Sequence, residues 1–230
     1  MNLGIKIILI ILALIVGGFL AQIGIYVYKI KTGKISPAYH FSAAKKTSGA
    51  TALSAAEILN SKAPFYGSAD PQLTIVEFGN FSCPYSKEEA PVARKMMMKY
   101  KSQIKFIYRD YPMDDIYPDS SALALAGKCA AEQNTFLFWA VHDKFYGAAT
   151  PDAQSAGSQT GLDKNKFSDC MTKQKYLSDL NKDLYDGYKN GVEGTPTFFF
   201  IKKGVESQPL RVEGAIPKAT FEQIIQNLLK

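Results

Sequence analysis

The sequence predicts an α/β domain, a small mixed sheet with helices on both faces, preceded by one N-terminal membrane-crossing helix. Three observations lead there. Short β-branched or aromatic runs alternate with amphipathic stretches in the order strand, helix, strand, long helical block, two hairpin-like strands, helix. Residues 73–86 read LTIVEFGNFSCPYS, which puts Cys83 where the first strong strand gives way to a helix. Residues 7–27 carry one strongly polar side chain, Gln22, and as a helix they cover roughly 30 Å, the hydrocarbon thickness of a bilayer.

Taken in order, residues 1–30 are expected to be the transmembrane anchor. A cleaved signal peptide is the rival, but its apolar region should be shorter, and Phe19-Leu20-Ala21 is a poor cleavage site. Residues 31–64, rich in Ala, Ser, Thr, Lys and Gly, read as a linker with a short helix around 53–59. The domain is expected over 65–230. Leu73, Thr74, Ile75 and Val76 form a buried strand, and Pro84 is well placed at the first helical position. The helix over 87–100 carries Ala90, Ala93, Met97 and Tyr100 on one core-facing stripe, and Pro91 should kink it.

Residues 104–108 (IKFIY) alternate as a second strand. A helical insertion then occupies about 111–192. It comprises a proline-containing loop to 120, a helix over 121–146 broken near Asn134, a small-residue loop over 148–161, and a helix over 162–190. Trp139 reads as a core residue and His142 as a surface one. Residues 197–201 (TFFFI) are apolar enough for a central strand, and Pro196 in front of it must have a local purpose. A last strand over 210–213 and a terminal helix over 217–229 complete the chain.

Composition narrows the function classes. The chain has 230 residues, 47% of them hydrophobic, enough for one domain with a full core. Its +6 charge comes from scattered lysines without interleaved aromatics, which argues against a nucleic-acid partner and leaves a weak attraction to anionic lipid. Cys83, Cys129 and Cys170 are far apart, and His40 and His142 complete no metal knuckle, so neither a metal nor a cofactor is expected. Three cysteines fit one bridge and one reactive thiol. At the start of a helix, backbone N–H groups and the helix dipole favour thiolate over thiol.

A strand–Cys-Pro-x-x–helix unit followed far downstream by Gly194-Thr195-Pro196-Thr197-Phe198 resembles the thioredoxin fold. With VEFGNFSCPYS, KFIYRDYPM, CAAEQNTFLFW and GVEGTPTFF around a helical insertion, the chain resembles the DsbA-like thiol–disulfide oxidoreductases. The resemblance implies that Cys83 is the nucleophile and that Pro84 and Tyr85 tune it. It implies that Pro196 is a cis-proline facing Cys83, with Thr195 offering backbone groups to a bound peptide. Glu77 falls where the family often has an acid beneath the active cysteine; an ordinary salt bridge at a strand end is the plain alternative. The resemblance also implies a disulfide between Cys129 and Cys170.

Such a bridge persists only in an oxidising compartment, which places the domain on the periplasmic or outer side of the cell membrane. The lysines point the other way, with Lys6 before the apolar segment and Lys29, Lys31 and Lys34 after it. The sequon Asn80-Phe81-Ser82 reads as chance, because a glycan there would block the site.

Ser86 departs from the dithiol pattern, where a second cysteine resolves the mixed disulfide. Its hydroxyl is expected to donate to the Cys83 thiolate. Three readings stay open. The first is a monothiol exchange enzyme acting on cysteine-containing exported proteins, with a membrane-bound or small-thiol redox partner supplying the second thiol. The second is a dithiol oxidoreductase carrying a Cys-to-Ser replacement. The third is a redox-inactive, chaperone-like module that binds extended peptides.

Overall fold

The computed structural model describes residues 18, 40–43, 55–59, 62–159 and 161–230. The chain divides into Met1–Ala38, in which Gly18 is helical, and Tyr39–Lys230. The apolar segment over 7–27 lies outside the described residues except for Gly18. Among the described residues no helix is long and apolar enough to cross a membrane.

Six strands form one sheet: β1 His40–Ala43, β2 Phe65–Gly67, β3 Leu73–Gly79, β4 Ile104–Asp110, β5 Thr197–Lys202 and β6 Leu210–Glu213. Their spatial order is β1-β6-β5-β3-β4-β2, with β3–β4 parallel and every other pair antiparallel. The mixed sheet follows from the connections. A helix joins β3 to β4, as parallel neighbours require, whereas β5 and β6 are joined by a short turn. β1 falls in the stretch that reads as linker; the free edge of β6 recruits it in the register His40↔Glu213.

Eight helices are described: α1 Ala55–Leu59, α2 Pro84–Lys99, α3 Ser120–Gln133, α4 Thr135–Gly147, α5 Ala153–Ala156, α6 Lys164–Thr172, α7 Leu177–Lys189 and α8 Lys218–Leu228. α3 and α4 meet at Asn134, whose side-chain oxygen caps α4 by accepting from the Phe136 N–H at 2.8 Å. The 162–190 region is two helices rather than one: Gln174, at φ 46°, sits in the left-handed region and ends the first. The 148–161 region contains α5, capped by Asp152.

The two-residue period of β3 sorts the core. Leu73 and Ile75 join Phe106, Tyr108, Phe198 and Phe200 on the face covered by α2, α3, α4 and α8. Val76 and Phe78 join Ile107, Phe199 and Ile201 on the face covered by α1 and by Leu184 of α7. α2 presents Ser86, Glu89, Ala90, Ala93, Met96 and Met97 to the first face. His142 also belongs to this core rather than the surface, enclosed by Phe81, Tyr108, Trp139 and Tyr146, and burial pushes its pKa down.

On the other face, Arg109 is fully buried against Phe78, with its guanidinium 5.2 Å from the ring centre. It donates from Nε to Asp183 at 2.7 Å and from Nη2 to Asp186 at 2.5 Å. Lys128 reaches Asp183 at 2.6 Å and Asp110 at 3.2 Å. These ion pairs join β4, α3 and α7, and so fix the insertion to the sheet.

Candidate functional site

The turn between β3 and α2 is built by Asn80. Its carbonyl accepts the Cys83 N–H at 3.0 Å, and its side-chain oxygen accepts from the Ser82 N–H at 2.9 Å and the Ser120 hydroxyl at 2.8 Å. Gly79, just before it, lies against the Tyr108 ring; a Cβ there would approach the Tyr108 hydroxyl oxygen to 2.7 Å. Asn80 is 3% exposed, so the sequon is closed to a glycan in the folded chain.

Cys83 emerges from this turn as the N-cap of α2, in extended conformation, with Pro84 opening the helix. It is the free cysteine among the described residues. Its Sγ donates to the Thr195 carbonyl at 3.2 Å, and the Thr195–Pro196 peptide bond is cis. Residues 112 positions apart are thereby brought together at one point. The Pro196 carbonyl accepts the Gly214 N–H at 2.8 Å, and the Thr197 hydroxyl donates to the Gly194 carbonyl at 2.7 Å, so the turn is fixed from both sides. Pro84 and Tyr85 are exposed, Tyr85 by 61%.

Sequence reasoning missed Tyr117, in the loop before α3. Its hydroxyl hydrogen-bonds the Cys83 side chain; burial raises the phenol's pKa first, and Cys83 and Tyr85 add to the rise. The sulfur therefore lies between a phenolic donor and a backbone acceptor. No sequence pattern marks Tyr117, because the contact depends on how the long loop folds back over α2.

Ser86 is fully buried. Its Oγ accepts from the Asn80 N–H at 3.4 Å and bonds the Tyr146 hydroxyl, which meets the Tyr108 hydroxyl at 2.8 Å. The partners shown for the hydroxyl are thus the turn's backbone donor and the tyrosine pair, rather than the Cys83 sulfur it was expected to serve.

Two buried carboxyl groups lie on the α2 side of the sheet. Glu77 is 1% exposed, makes no ion pair among the described residues, and has an Oε1 without a hydrogen-bond partner there. Alternation along β3 places it on the α2 side, in register with Tyr108 and Phe198. Burial pushes its pKa up to about 8. Glu89, on the buried stripe of α2, is pushed up to about 9 by burial, against the pull of a hydrogen bond from the Ile216 backbone, with Glu77 and Glu88 adding to the rise. Both carboxyls carry a proton at neutral pH. Glu89 was also missed; the run Lys87-Glu88-Glu89 reads as surface charge unless the stripe through Ser86 and Ala93 is traced.

Cys129 of α3 and Cys170 of α6 are joined, with Cα atoms 5.8 Å apart, within the insertion and away from Cys83.

The chain resembles several known proteins. It is 28% identical over 137 residues to a Na(+)/H(+) antiporter NhaA 3 of Salinispora tropica, a stretch that is 58% of this chain and 21% of that protein. The chain thus spans about a fifth of the length of this curated relative. It is 23% identical over 159 residues to disulfide bond formation protein D of Bacillus subtilis, covering 63% of this chain and 70% of that protein. Its fold superposes on the thiol-disulfide exchange protein alpha-DsbA2 of Wolbachia pipientis with a TM-score of 0.65 at 18% identity, covering 75% and 90% of the two chains. The thioredoxin family model matches residues 59–226, and with its cysteine at the strand-to-helix junction and the cis-proline turn facing it, the chain belongs to the thioredoxin family.

Proposed function

We propose that this protein carries out thiol–disulfide exchange through Cys83 alone. The single observation that carries the reading is the Cys83 sulfur held 3.2 Å from the Thr195 carbonyl, beside the cis Thr195–Pro196 bond. The Cys83 thiolate attacks one sulfur of a substrate disulfide; the new Cys83–substrate bond forms and the other substrate sulfur leaves as a thiolate. An external thiolate then attacks the substrate sulfur of that adduct. Cys83 leaves as a thiolate, and the disulfide passes to the incoming thiol. Thr195 offers its carbonyl to an extended peptide once Cys83 no longer donates to it. Glu77, buried and protonated, supplies a proton to the leaving site. Ser86, whose hydroxyl bonds Asn80 and Tyr146, supplies no second thiol.

The substrates in this reading are cysteine-containing exported proteins, and the resolving thiol comes from a membrane-bound or small-thiol partner. The segment over 7–27 anchors the chain in one pass, and the domain, whose sheet includes β1 and whose second face is covered by α1, lies on the periplasmic or outer side. The Cys129–Cys170 bridge supports that side, since a reducing cytosol would break it. The names of the Bacillus and Wolbachia proteins support the chemistry. A second reading, a redox-silent peptide-binding module, is favoured by the 2% exposure of Cys83.

The test is to incubate the full chain with a disulfide-linked peptide and follow intact mass. Exchange requires a reducible adduct of one peptide half that Cys83→Ala abolishes. Peptide binding by the Cys83→Ala chain at parent affinity, with no adduct on the parent chain, would establish the binding module instead.

A further inference from the structure

Two tethers join the Cys83 helix to the Thr195–Pro196 turn, and the reaction treats them differently. The first is the thiol itself, donating to the Thr195 carbonyl. The second lies about two turns along α2. There Glu89 Oε2 accepts the Ile216 N–H at 2.6 Å, across 127 residues of sequence. Ile216 follows Gly214, whose own N–H donates to the Pro196 carbonyl at 2.8 Å; Gly214 sits at φ 83°, a backbone position that suits glycine. A continuous path therefore runs from Glu89 through Ile216 and Gly214 to Pro196.

When Cys83 bonds a substrate sulfur, its thiol proton is gone and the first tether is lost. The Thr195 carbonyl then becomes free to accept from the substrate backbone. The second tether contains no reacting atom and is untouched by the change at sulfur. Glu89 is 1% exposed, so water does not compete for the Ile216 N–H. Its other oxygen has no partner among the described residues, so the carboxyl serves this one bond.

We propose that Glu89 is a positioning residue for exchange at Cys83, holding α2 in register with the Thr195–Pro196 turn during the interval when the thiol tether is broken. This deepens the exchange reading and rests on it. The requirement is for an acceptor of the right shape, so glutamine should serve and methionine should not. The role should matter for an extended peptide, which pairs with the turn, and much less for a small disulfide that reacts at sulfur alone.

The experiment compares parent, Glu89→Met and Glu89→Gln as full chains, each reacted with a disulfide-linked peptide and with 4,4′-dithiodipyridine. Glu89→Met should lower the second-order rate for the peptide by about tenfold, within the roughly hundredfold that a 1 Å misplacement can cost, while the dithiodipyridine rate stays within about twofold. Glu89→Gln should restore the peptide rate. A folded Glu89→Met chain at the parent peptide rate overturns the proposal, as does an equal loss for both disulfides or a Gln variant as slow as Met. If Glu89→Met does not fold, amide hydrogen exchange on the parent decides. Ile216 must stay equally protected in the free chain and in the Cys83–peptide adduct, and loss of protection on adduct formation refutes the proposal. A parent that forms no adduct with either disulfide refutes the exchange reading itself, whereas a reactive parent matched by Glu89→Met refutes the positioning role alone.

Discussion

Glu77→Gln should make the protein more stable, and increasingly so as the pH rises. Burial lifts the Glu77 carboxyl from 4.5 to about 8, with no compensating charge. Below pH ~4.5 both folded and unfolded chains hold the proton, and the group has no pH-dependent effect. Between pH ~4.5 and ~8 the unfolded chain gives the proton up and the folded chain keeps it, so stability falls by about 1.4 kcal/mol per pH unit. At pH 7 this amounts to roughly 3 kcal/mol, which glutamine, with no proton to lose, does not incur. For a domain of this size the gain corresponds to about 6–12 °C in Tm. Glu89 and Asp110 are raised too, but they remain in both chains and cancel to first order. Urea unfolding of parent and variant at pH 4.5, 6, 7 and 8, without reductant, measures the difference. It should widen with pH; parallel curves across this range would refute the assignment of Glu77 as a buried, protonated acid. If Glu77 supplies a proton as proposed, the stabilised variant should also exchange more slowly.

Four further outcomes follow from the site and its supports. Asp183→Ala leaves Arg109 and Lys128 with one buried acid each, and should cost about 3–5 kcal/mol by urea unfolding; a loss under ~1 kcal/mol would mean that water reaches the network. Replacing Cys129 and Cys170 together by serine opens a 41-residue link and should cost about 4 kcal/mol on the chain-entropy model, read in the same way; an unchanged midpoint would place the constraint elsewhere. Tyr117→Phe removes the phenol that hydrogen-bonds the Cys83 side chain and should slow reaction of Cys83 with a disulfide-linked peptide about tenfold; an unchanged rate would show that the hydroxyl takes no part in the reaction. Ser86→Cys should confer insulin-reducing turnover in the presence of an external reductant, and a variant no faster than parent would show that the serine is not what withholds a dithiol cycle.

Much of the fold was legible because its signals are local. The run from Leu73 ends at a glycine and an asparagine, and a Cys-Pro pair opens the next helix; strand, turn and N1 proline are all visible within a dozen residues. The Phe198–Phe200 run needs only its own apolarity to read as a central strand. What stayed hidden depends on distant chain. β1 exists because β6 has a free edge, which its own short sequence does not announce. The break at Gln174 rests on one backbone angle inside a region whose composition suits helix throughout. The site divides in the same way. Cys83, Thr195 and Pro196 are carried by short patterns, whereas Tyr117, Asn80 and Glu89 act through contacts fixed only once loops and layers have packed.

Ser86 shows why the residue type alone was an incomplete guide. Read as a cysteine substitute, it is judged by what it would do for Cys83. In the folded chain it is a fully buried hydroxyl that supports the Asn80 N–H and the Tyr146–Tyr108 pair. A thiol at that position is a weak donor and acceptor, and would leave those groups less well satisfied. Each such loss inside a dry site is worth about 1 kcal/mol. The serine is therefore integrated into the polar network under the active turn, and the network has its own consequence for chemistry. It draws the hydroxyl away from the sulfur and leaves Cys83 with Tyr117 as donor and Thr195 as acceptor. In the proposed exchange reading, such an arrangement keeps the attacking half of the reaction at Cys83 and requires the thiol that ends each cycle to come from outside.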